Sequence, residues 1–301
     1  MANLNKKIII IPLKVLVSSG LLYFVISKTG VEKVVSALGE MNLLLFLVAV
    51  LIYLSSIFLC SIRWRLLIHD HFDFRRLFSF YLMGSFFNHI LPGIIGGDAV
   101  KVYYLYKDTG RGASALASVF MDRYVGFTAL MFVGLSAFPF GLSYFKGSYI
   151  EWVLPLIILL FVVGSFIIFG LKIGRRIKFL SGFYDYFVMY KGKRDVLAKT
   201  FFISLVVQII IIFGVYFVSL GLKADIPLLA FFMFIPIIST IATVPISIAG
   251  LGLREASFVL LFGFLGVSPV QATAISFAWF LSFVAGSIPG LVEYLRYKKM
   301  G

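Results

Sequence analysis

Two basic residues stand inside long apolar stretches of the sequence, each just after a glycine-rich segment. Lys101 lies four residues after Gly97, and Arg254 lies four residues after the first glycine of Gly250-Leu251-Gly252. A helix that begins at such a glycine presents unpaired backbone N–H groups and the positive end of its dipole. With a basic side chain one turn further on, the two helix starts are expected to hold one phosphate or carboxylate headgroup between them, together with a third basic residue, Arg123.

Acidic residues accompany both basic residues. Asp98 and Glu255 fall in the first turn of the two expected helices, so each is interpreted either as a group that stabilises the helix terminus or as part of the site. Asp122 and Arg123 lie in another apolar stretch. Because adjacent helical side chains point roughly 100° apart, they do not simply pair with each other. We expect Arg123 to reach Asp98, either as a fixed ion pair or as a cation released to hold an anion.

Smaller residues complete the candidate site. Asn88 precedes the first glycine-rich segment, where its side chain can satisfy unwound backbone. The predicted substrate-binding residues are Asn88, Gly96, Gly97, Asp98, Lys101, Asp122, Arg123, Ser247, Gly250, Gly252, Arg254 and Glu255. No catalytic residue, metal or cofactor is expected, because the segment from His69 to Asp73 lacks a third fixed ligand and no nucleotide-binding motif occurs.

Proline and glycine interrupt the two apolar regions that carry most of these residues, 77–108 and 228–265. The predicted helix breaks are Pro92, Gly93 and Pro245. Proline removes a backbone donor and glycine has little helical preference, so each region is expected to form two half-helices around an unwound bend. At membrane depth such a bend is tolerated only where protein or a water-filled cavity satisfies the freed backbone groups.

The composition places the chain in a membrane. Of the 301 residues, 61% are hydrophobic and only 13% are charged, about half the charged share of a soluble domain. A soluble enzyme and a disordered protein are therefore excluded. We predict an all-α polytopic membrane protein forming one transmembrane domain over 1–301, with two broken-helix hairpins and six full spans of about 20 apolar residues. The spans are 8–27, 42–62, 112–138, 150–171, 200–220 and 270–295.

The 27 basic residues predict the orientation of the chain in the membrane. If both broken regions return to the side they came from and the N-terminus is cytoplasmic, 19 basic residues, Arg63 among them, lie inside and four lie outside, as the positive-inside rule requires. A full crossing by each broken region would move the basic linker 172–199 outside. Two crossings by each would keep the bias, but the half-helices are too short to span singly. We therefore expect re-entrant hairpins, cytoplasmic termini and a cytoplasmic linker lying on anionic headgroups.

This topology contains an internal repeat. The order span, span, re-entrant hairpin, span occurs over 8–138 and again over 150–295, and the two copies enter from opposite faces. Pro92, Gly97 and Lys101 each have a counterpart 153 residues later, at Pro245, Gly250 and Arg254. Inverted repeats with broken helices near the midplane are typical of secondary transporters, which bind substrate between the repeats.

Three motifs make the sequence resemble a known family. They are Asn88 with Leu91-Pro92-Gly93-x-x-Gly96-Gly97-Asp98, then Asp122-Arg123-x-x-Gly126, then Pro245-x-Ser247-x-x-Gly250-x-Gly252-x-Arg254-Glu255. Over nearly the whole chain this pattern resembles the lysylphosphatidylglycerol synthase transmembrane-region family, also described as flippase-like. Full-length synthases carry a further aminoacyl-transferase domain that this sequence lacks, so no synthase activity is expected. Position 101 is Lys rather than the family's usual Arg, and lysine cannot hold a phosphate bidentately.

The resemblance implies movement of lipids between leaflets, including aminoacylated phosphatidylglycerol. Together with the residues, it predicts a protein of the cytoplasmic membrane that moves an anionic or phosphate-bearing lipid, such as a phospholipid, an aminoacyl-phospholipid or a polyprenyl phosphate. Two alternatives remain open: a non-transporting accessory subunit of an envelope lipid or glycan synthesis enzyme, and a small-anion carrier. Expected partners are membrane lipids and envelope-synthesis enzymes, not nucleic acid.

Overall fold

Helices make up nearly all of the described chain. The computed structural model describes residues 2–68, 72–90, 96–145, 147–171, 181–190, 192–244, 246–247 and 250–300. Its helices are α1 (Ala2–Thr29), α2 (Val31–Gly39), α3 (Leu43–Leu67), α4 (Phe74–Ile90), α5 (Gly96–Thr109), α6 (Gly112–Gly141), α7 (Val153–Ser165), α8 (Ser181–Tyr190), α9 (Arg194–Gly221), α10 (Leu228–Thr243), α11 (Leu253–Gly263) and α12 (Pro269–Met300). A 3-10 turn at Tyr149–Trp152 precedes α7, and a π-helical turn at Phe166–Gly170 follows it.

Long apolar helices confirm the all-α membrane fold. In the described residues, five are long and apolar enough to cross a bilayer: Leu43–Leu67, Gly112–Tyr144, Tyr149–Gly170, Arg194–Gly221 and Pro269–Tyr297. They coincide with the expected spans from 42–62 onward. A bent pair, Lys14–Thr29 of α1 with α2, supplies a sixth candidate that overlaps the expected first span, 8–27, from residue 14 onward.

The bend between α1 and α2 was not predicted. Lys14–Thr29 and Val31–Gly39 meet at 78° around Gly30, whose φ of 79° is a conformation that glycine adopts without strain. In α2, Val34 is buried and the helix packs against α12. A single glycine in an apolar context gives little signal in sequence, so the prediction ended the first element at residue 27.

The first broken region forms an antiparallel hairpin. At one end, Arg76 Nη1 lies 3.3 Å from Asp108 Oδ2, and at the other the Gly97 N–H donates to Asn88 Oδ1 at 3.0 Å. Helix α5 therefore returns to the end at which α4 began, as predicted. The predicted break residues Pro92 and Gly93 lie outside the described residues.

The second broken region repeats this arrangement. Near its bend, Gly250 approaches Ala242, and the rings of Phe231 and Phe262, far from the bend, lie 5.1 Å apart between centroids. Helices α10 and α11 are therefore antiparallel as well. Pro245, the third predicted break residue, lies outside the described part of the chain.

The hairpins pack against the long helices in a related way. Helix α3 packs along α9, while α4 packs against α12 and α10 packs against α6. Glycines permit the close approaches: Gly290 of α12 lies against the Leu82 carbonyl of α4, and Gly134 of α6 lies against Pro236 of α10. The largest apolar core is shared by α6, α9, α10, α11 and α12.

Helix α8, which lies within the 172–199 linker, is attached to the end of α3. The hydroxyls of Tyr186 and Tyr190 both donate to the Leu67 carbonyl oxygen, at 2.7 and 2.5 Å. A carbonyl at a helix C-terminus has no intrahelical partner, so these bonds satisfy it. Burial raises the pKa of the Tyr190 hydroxyl, which keeps it protonated as a donor.

The contact between α4 and α5 predicts a position that tolerates no side chain. In Gly97→Ala the new Cβ would overlap the Gly84 carbonyl oxygen, and overpacking of this kind costs about 1–3 kcal/mol. We expect a clearly lower thermal unfolding temperature in detergent. Gly164→Ala is the matched control, because a Cβ there meets nothing within 4 Å. Equal unfolding temperatures for the two variants would contradict this packing.

Candidate functional site

Asp98 bridges two cations at the start of α5. Its Oδ1 lies 2.9 Å from Lys101 Nζ, and its Oδ2 accepts a hydrogen bond from Arg123 Nε at 2.8 Å. The predicted contact between Arg123 and Asp98 is confirmed, and it links the α4–α5 hairpin to α6. At 1.5 Å per residue, both Asp98 and Arg123 lie about 17 Å along their helices from the connection between α5 and α6.

Asp122 is the second carboxylate of the same cluster. It accepts hydrogen bonds from Arg63 Nε at 2.7 Å and from the Tyr81 hydroxyl at 2.9 Å, and Lys101 Nζ lies 3.9 Å away. As predicted, it does not pair with its neighbour Arg123. Five charged side chains form what we call the α5 cluster, with Tyr81 as a neutral donor: Arg63, Asp98, Lys101, Asp122 and Arg123.

Arg63 and Tyr81 were not predicted as site residues. Arg63 was counted among the basic residues at the cytoplasmic side, but its side chain is only 5% exposed. Its Nη1 also donates to Ser204 of α9 at 2.9 Å. The available signal was the energetic cost of burying Asp122 in a membrane. A buried carboxylate requires a cation, and Arg63 directly follows the predicted span 42–62.

Exposure divides the cations of the α5 cluster into two kinds. The side chain of Lys101 is 2% exposed and that of Asp122 is fully buried. Lys101 Nζ also lies 4.2 Å from the centroid of the Tyr81 ring, a cation–π contact. The Arg123 side chain, in contrast, is 45% exposed. The cluster is therefore largely buried and is accessible at Arg123.

Asn88 has the role that the sequence predicts. Its side-chain oxygen accepts the Gly97 N–H, one of the free donors in the first turn of α5. Gly96 begins that helix, and Gly97 is buried against α4. Asp98 does not cap the helix but pairs with cations, so the two acidic residues of the half-helices differ in function.

Glu255 does cap its half-helix. Its Oε2 accepts the N–H of Gly252 at 2.7 Å, and the positive φ of Gly250 and Gly252 shapes the turn before α11. Its Oε1 accepts hydrogen bonds from Arg254 Nε and from the Ser276 hydroxyl, both at 3.0 Å. This α11 cluster, Arg254, Glu255 and Ser276, is buried, and Ser276 was not predicted.

The predicted site residues fall into two clusters rather than one. The sequence suggested that Lys101, Arg123 and Arg254 together hold one headgroup. In the described residues, no ion pair or hydrogen bond joins the α5 cluster to the α11 cluster. Aromatic rings lie at the α11 cluster instead: the Arg254 guanidinium is 4.6 Å from the Phe280 centroid, and Phe280 packs edge-on against His89.

Two further observations complete the description. Ser247 is buried, and its hydroxyl has no hydrogen-bond partner among the described residues. A cavity of about 190 Å³ lies near the start of α12, lined by Glu40, Lys223 and Gln271 among others. It contains none of the predicted site residues and is smaller than the ~300 Å³ of an ordinary small-molecule pocket. The α5 cluster is therefore the candidate site.

Comparison with known proteins agrees with these features. The family described as "Lysylphosphatidylglycerol synthase TM region" matches residues 11–290, which include both hairpins and both clusters. A UPF0104 membrane protein of Methanocaldococcus jannaschii is similar, with 23% identity over 313 aligned positions that cover 91% of each chain. Because the family match extends over most of the sequence, this chain belongs to the lysylphosphatidylglycerol synthase transmembrane-region family.

Proposed function

We propose that this multi-pass membrane protein moves a lipid with an anionic or phosphate-bearing headgroup between the two leaflets. One observation carries the proposal: five charged side chains meet inside the helix bundle, and one of them, Arg123, is accessible. Keeping charges in a membrane is costly, and such residues commonly mark the path of a substrate. Membership of a family of lipid-related membrane proteins is compatible with this proposal.

The chemistry of the α5 cluster suits a phosphate. Arg123 offers a planar guanidinium, which can donate two parallel hydrogen bonds to a phosphate. The N-terminal end of α5 adds the positive end of a helix dipole beside Asp98. A charged headgroup cannot cross hydrocarbon unaided, so these groups would replace its water while the tails remain in lipid.

The packing of the helices supports an inverted repeat as the moving framework. The contacts of α4 with α12 and of α5 with α6 have counterparts in α10 with α6 and α11 with α12. Arg123 and Ser276, which are 153 residues apart, each bond the acidic residue of the preceding half-helix. We propose that 8–138 and 150–295 are the two repeats and that their relative rotation exposes the site alternately.

The proposal includes the setting of the protein. We place it in the cytoplasmic membrane with both termini and the 172–199 linker inside, in contact with anionic lipids and near envelope-synthesis enzymes. An accessory subunit or a small-anion carrier would give different results in the transport experiment below.

Leaflet exchange in liposomes tests the function directly. Reconstituted protein should accelerate the exchange of fluorescent phosphatidylglycerol, and Arg123→Gln should slow it at least tenfold, because a lost charge-assisted contact costs about 1.5–3 kcal/mol. Arg76→Gln is the matched control: it is also an exposed arginine paired with a carboxylate, Asp108, but it lies away from the cluster.

The alternatives give distinct outcomes in the same vesicles. Exchange equal to that of empty liposomes for every anionic and polyprenyl phosphate lipid would exclude the flippase and leave the accessory subunit. Uptake of free phosphate without lipid exchange would show a small-anion carrier. Equal slowing by Arg76→Gln and Arg123→Gln would remove Arg123 from the lipid path.

Orientation is tested by labelling single cysteines in intact cells. Tyr149→Cys and Gly192→Cys place a thiol at a nearly fully exposed residue and at a glycine with open space around it, while the native Cys60 is buried. We expect an impermeant maleimide to label position 149 but not position 192. Labelling of both positions from outside, or of position 192 alone, would overturn the proposed topology.

A further inference from the structure

We propose that the α5 cluster selects lipids whose headgroup carries a single net negative charge. This inference rests on the proposed function and specifies its substrate. Three observations support it: the balance of charge in the cluster, the position of the unbalanced charge, and the exposed face of α5.

The α5 cluster carries one unbalanced positive charge. Arg63, Lys101 and Arg123 are cations, and Asp98 and Asp122 are the two carboxylates in contact with them. No other charged side chain of the described residues lies within ion-pair distance of these five. The α11 cluster does not alter the balance locally, because Arg254 is paired one-to-one with Glu255.

The unbalanced charge lies at Arg123. Arg63 is bonded through Nε and Nη1 to Asp122 and Ser204, and Lys101 is enclosed by the two carboxylates and the Tyr81 ring. Arg123 bonds Asp98 through Nε alone, and among the described residues its two terminal nitrogens have no hydrogen-bond partner. These nitrogens belong to the most exposed side chain of the cluster, so they are the donors available to a ligand.

The exposed face of α5 suits contact with lipid. On α5, Ala99, Tyr103 and Tyr106 are exposed and lie on one face of the helix. Tyrosines with an apolar ring and a polar hydroxyl are enriched where hydrocarbon meets headgroups. These tyrosines can hold a lipid along α5, the helix whose Asp98 bonds Arg123.

Charge balance then distinguishes one headgroup from another. In a medium of low dielectric constant an uncompensated charge is strongly unfavourable. A phosphodiester such as that of phosphatidylglycerol carries one negative charge and brings the cluster to neutrality. A phosphomonoester carries about 1.5 to 2 negative charges at pH 7 and leaves an excess of negative charge, while zwitterionic and aminoacylated headgroups leave the positive charge unbalanced.

Asp98 sets this preference, because its carboxylate is the one that already pairs with Arg123. Replacing it with the isosteric amide in Asp98→Asn leaves the helix start in place, keeps one of the two acceptor oxygens and raises the cluster to two positive charges. The variant should then favour a doubly charged headgroup. Asp98→Glu keeps the charge and should keep the preference.

The experiment measures exchange of four fluorescent lipids in otherwise identical vesicles at pH 7. They are phosphatidylglycerol, phosphatidic acid, phosphatidylethanolamine and lysylphosphatidylglycerol. The unmodified protein should exchange phosphatidylglycerol fastest. In Asp98→Asn the ratio of phosphatidic acid to phosphatidylglycerol exchange should rise by about tenfold. Asp108→Asn, which removes an exposed carboxylate paired with Arg76, should leave the ratio unchanged.

The outcomes separate this inference from the function on which it rests. No exchange of any of the four lipids would remove the proposed function. Exchange with equal rates, or with a zwitterionic or cationic lipid fastest, would keep the function and overturn the charge selection. If Asp98→Asn does not fold, the relative exchange rates of the four lipids in the unmodified protein still test the charge selection.

Discussion

The ion pair between Arg63 and Asp122 is the interaction on which the arrangement of helices depends. A lone carboxylate inside a bilayer is strongly unfavourable, so Asp122 requires a cation and further donors. Arg63 brings α3 to α6 and, through Ser204, also brings α9. Tyr81 adds α4. Four helices, α3, α4, α6 and α9, are therefore held at one carboxylate. Such bonds matter here because apolar side chains gain little by leaving lipid for protein.

Small residues make this electrostatic arrangement possible. Lys101 can lie between Asp98 and Asp122 because α5 packs almost backbone to backbone against α4, where Gly84 faces Gly97. Van der Waals contact between glycine-lined helices is the usual source of association in membranes. The charged cluster and the close packing therefore support each other: the cluster requires the short distance, and the glycines permit it.

The sequence predicts what is local and misses what depends on distant contacts. The starts of α5 and α11, the cap at Asn88 and the hairpins follow from proline, glycine and asparagine acting on neighbouring backbone. Arg63 was taken for an orienting charge, because its partner lies 59 residues away. Lys101 and Arg254 were grouped in one site because their motifs match, yet the structure places them in separate clusters, and Phe280 packs on Arg254. Such differences arise from side-chain packing that a motif does not encode.

The two tyrosines of α8 have a mechanical consequence for the chain as a whole. Since both hydroxyls bond the Leu67 carbonyl, helix α8 of the second proposed repeat is fixed to α3 of the first. Helix α9, which starts only four residues after α8 ends, begins beside the very helix that it packs against. If the second proposed repeat moves relative to the first, it must either leave α8 in place against α3 or break the tyrosine bonds. The attachment of α8 thus limits the range of motion between the repeats.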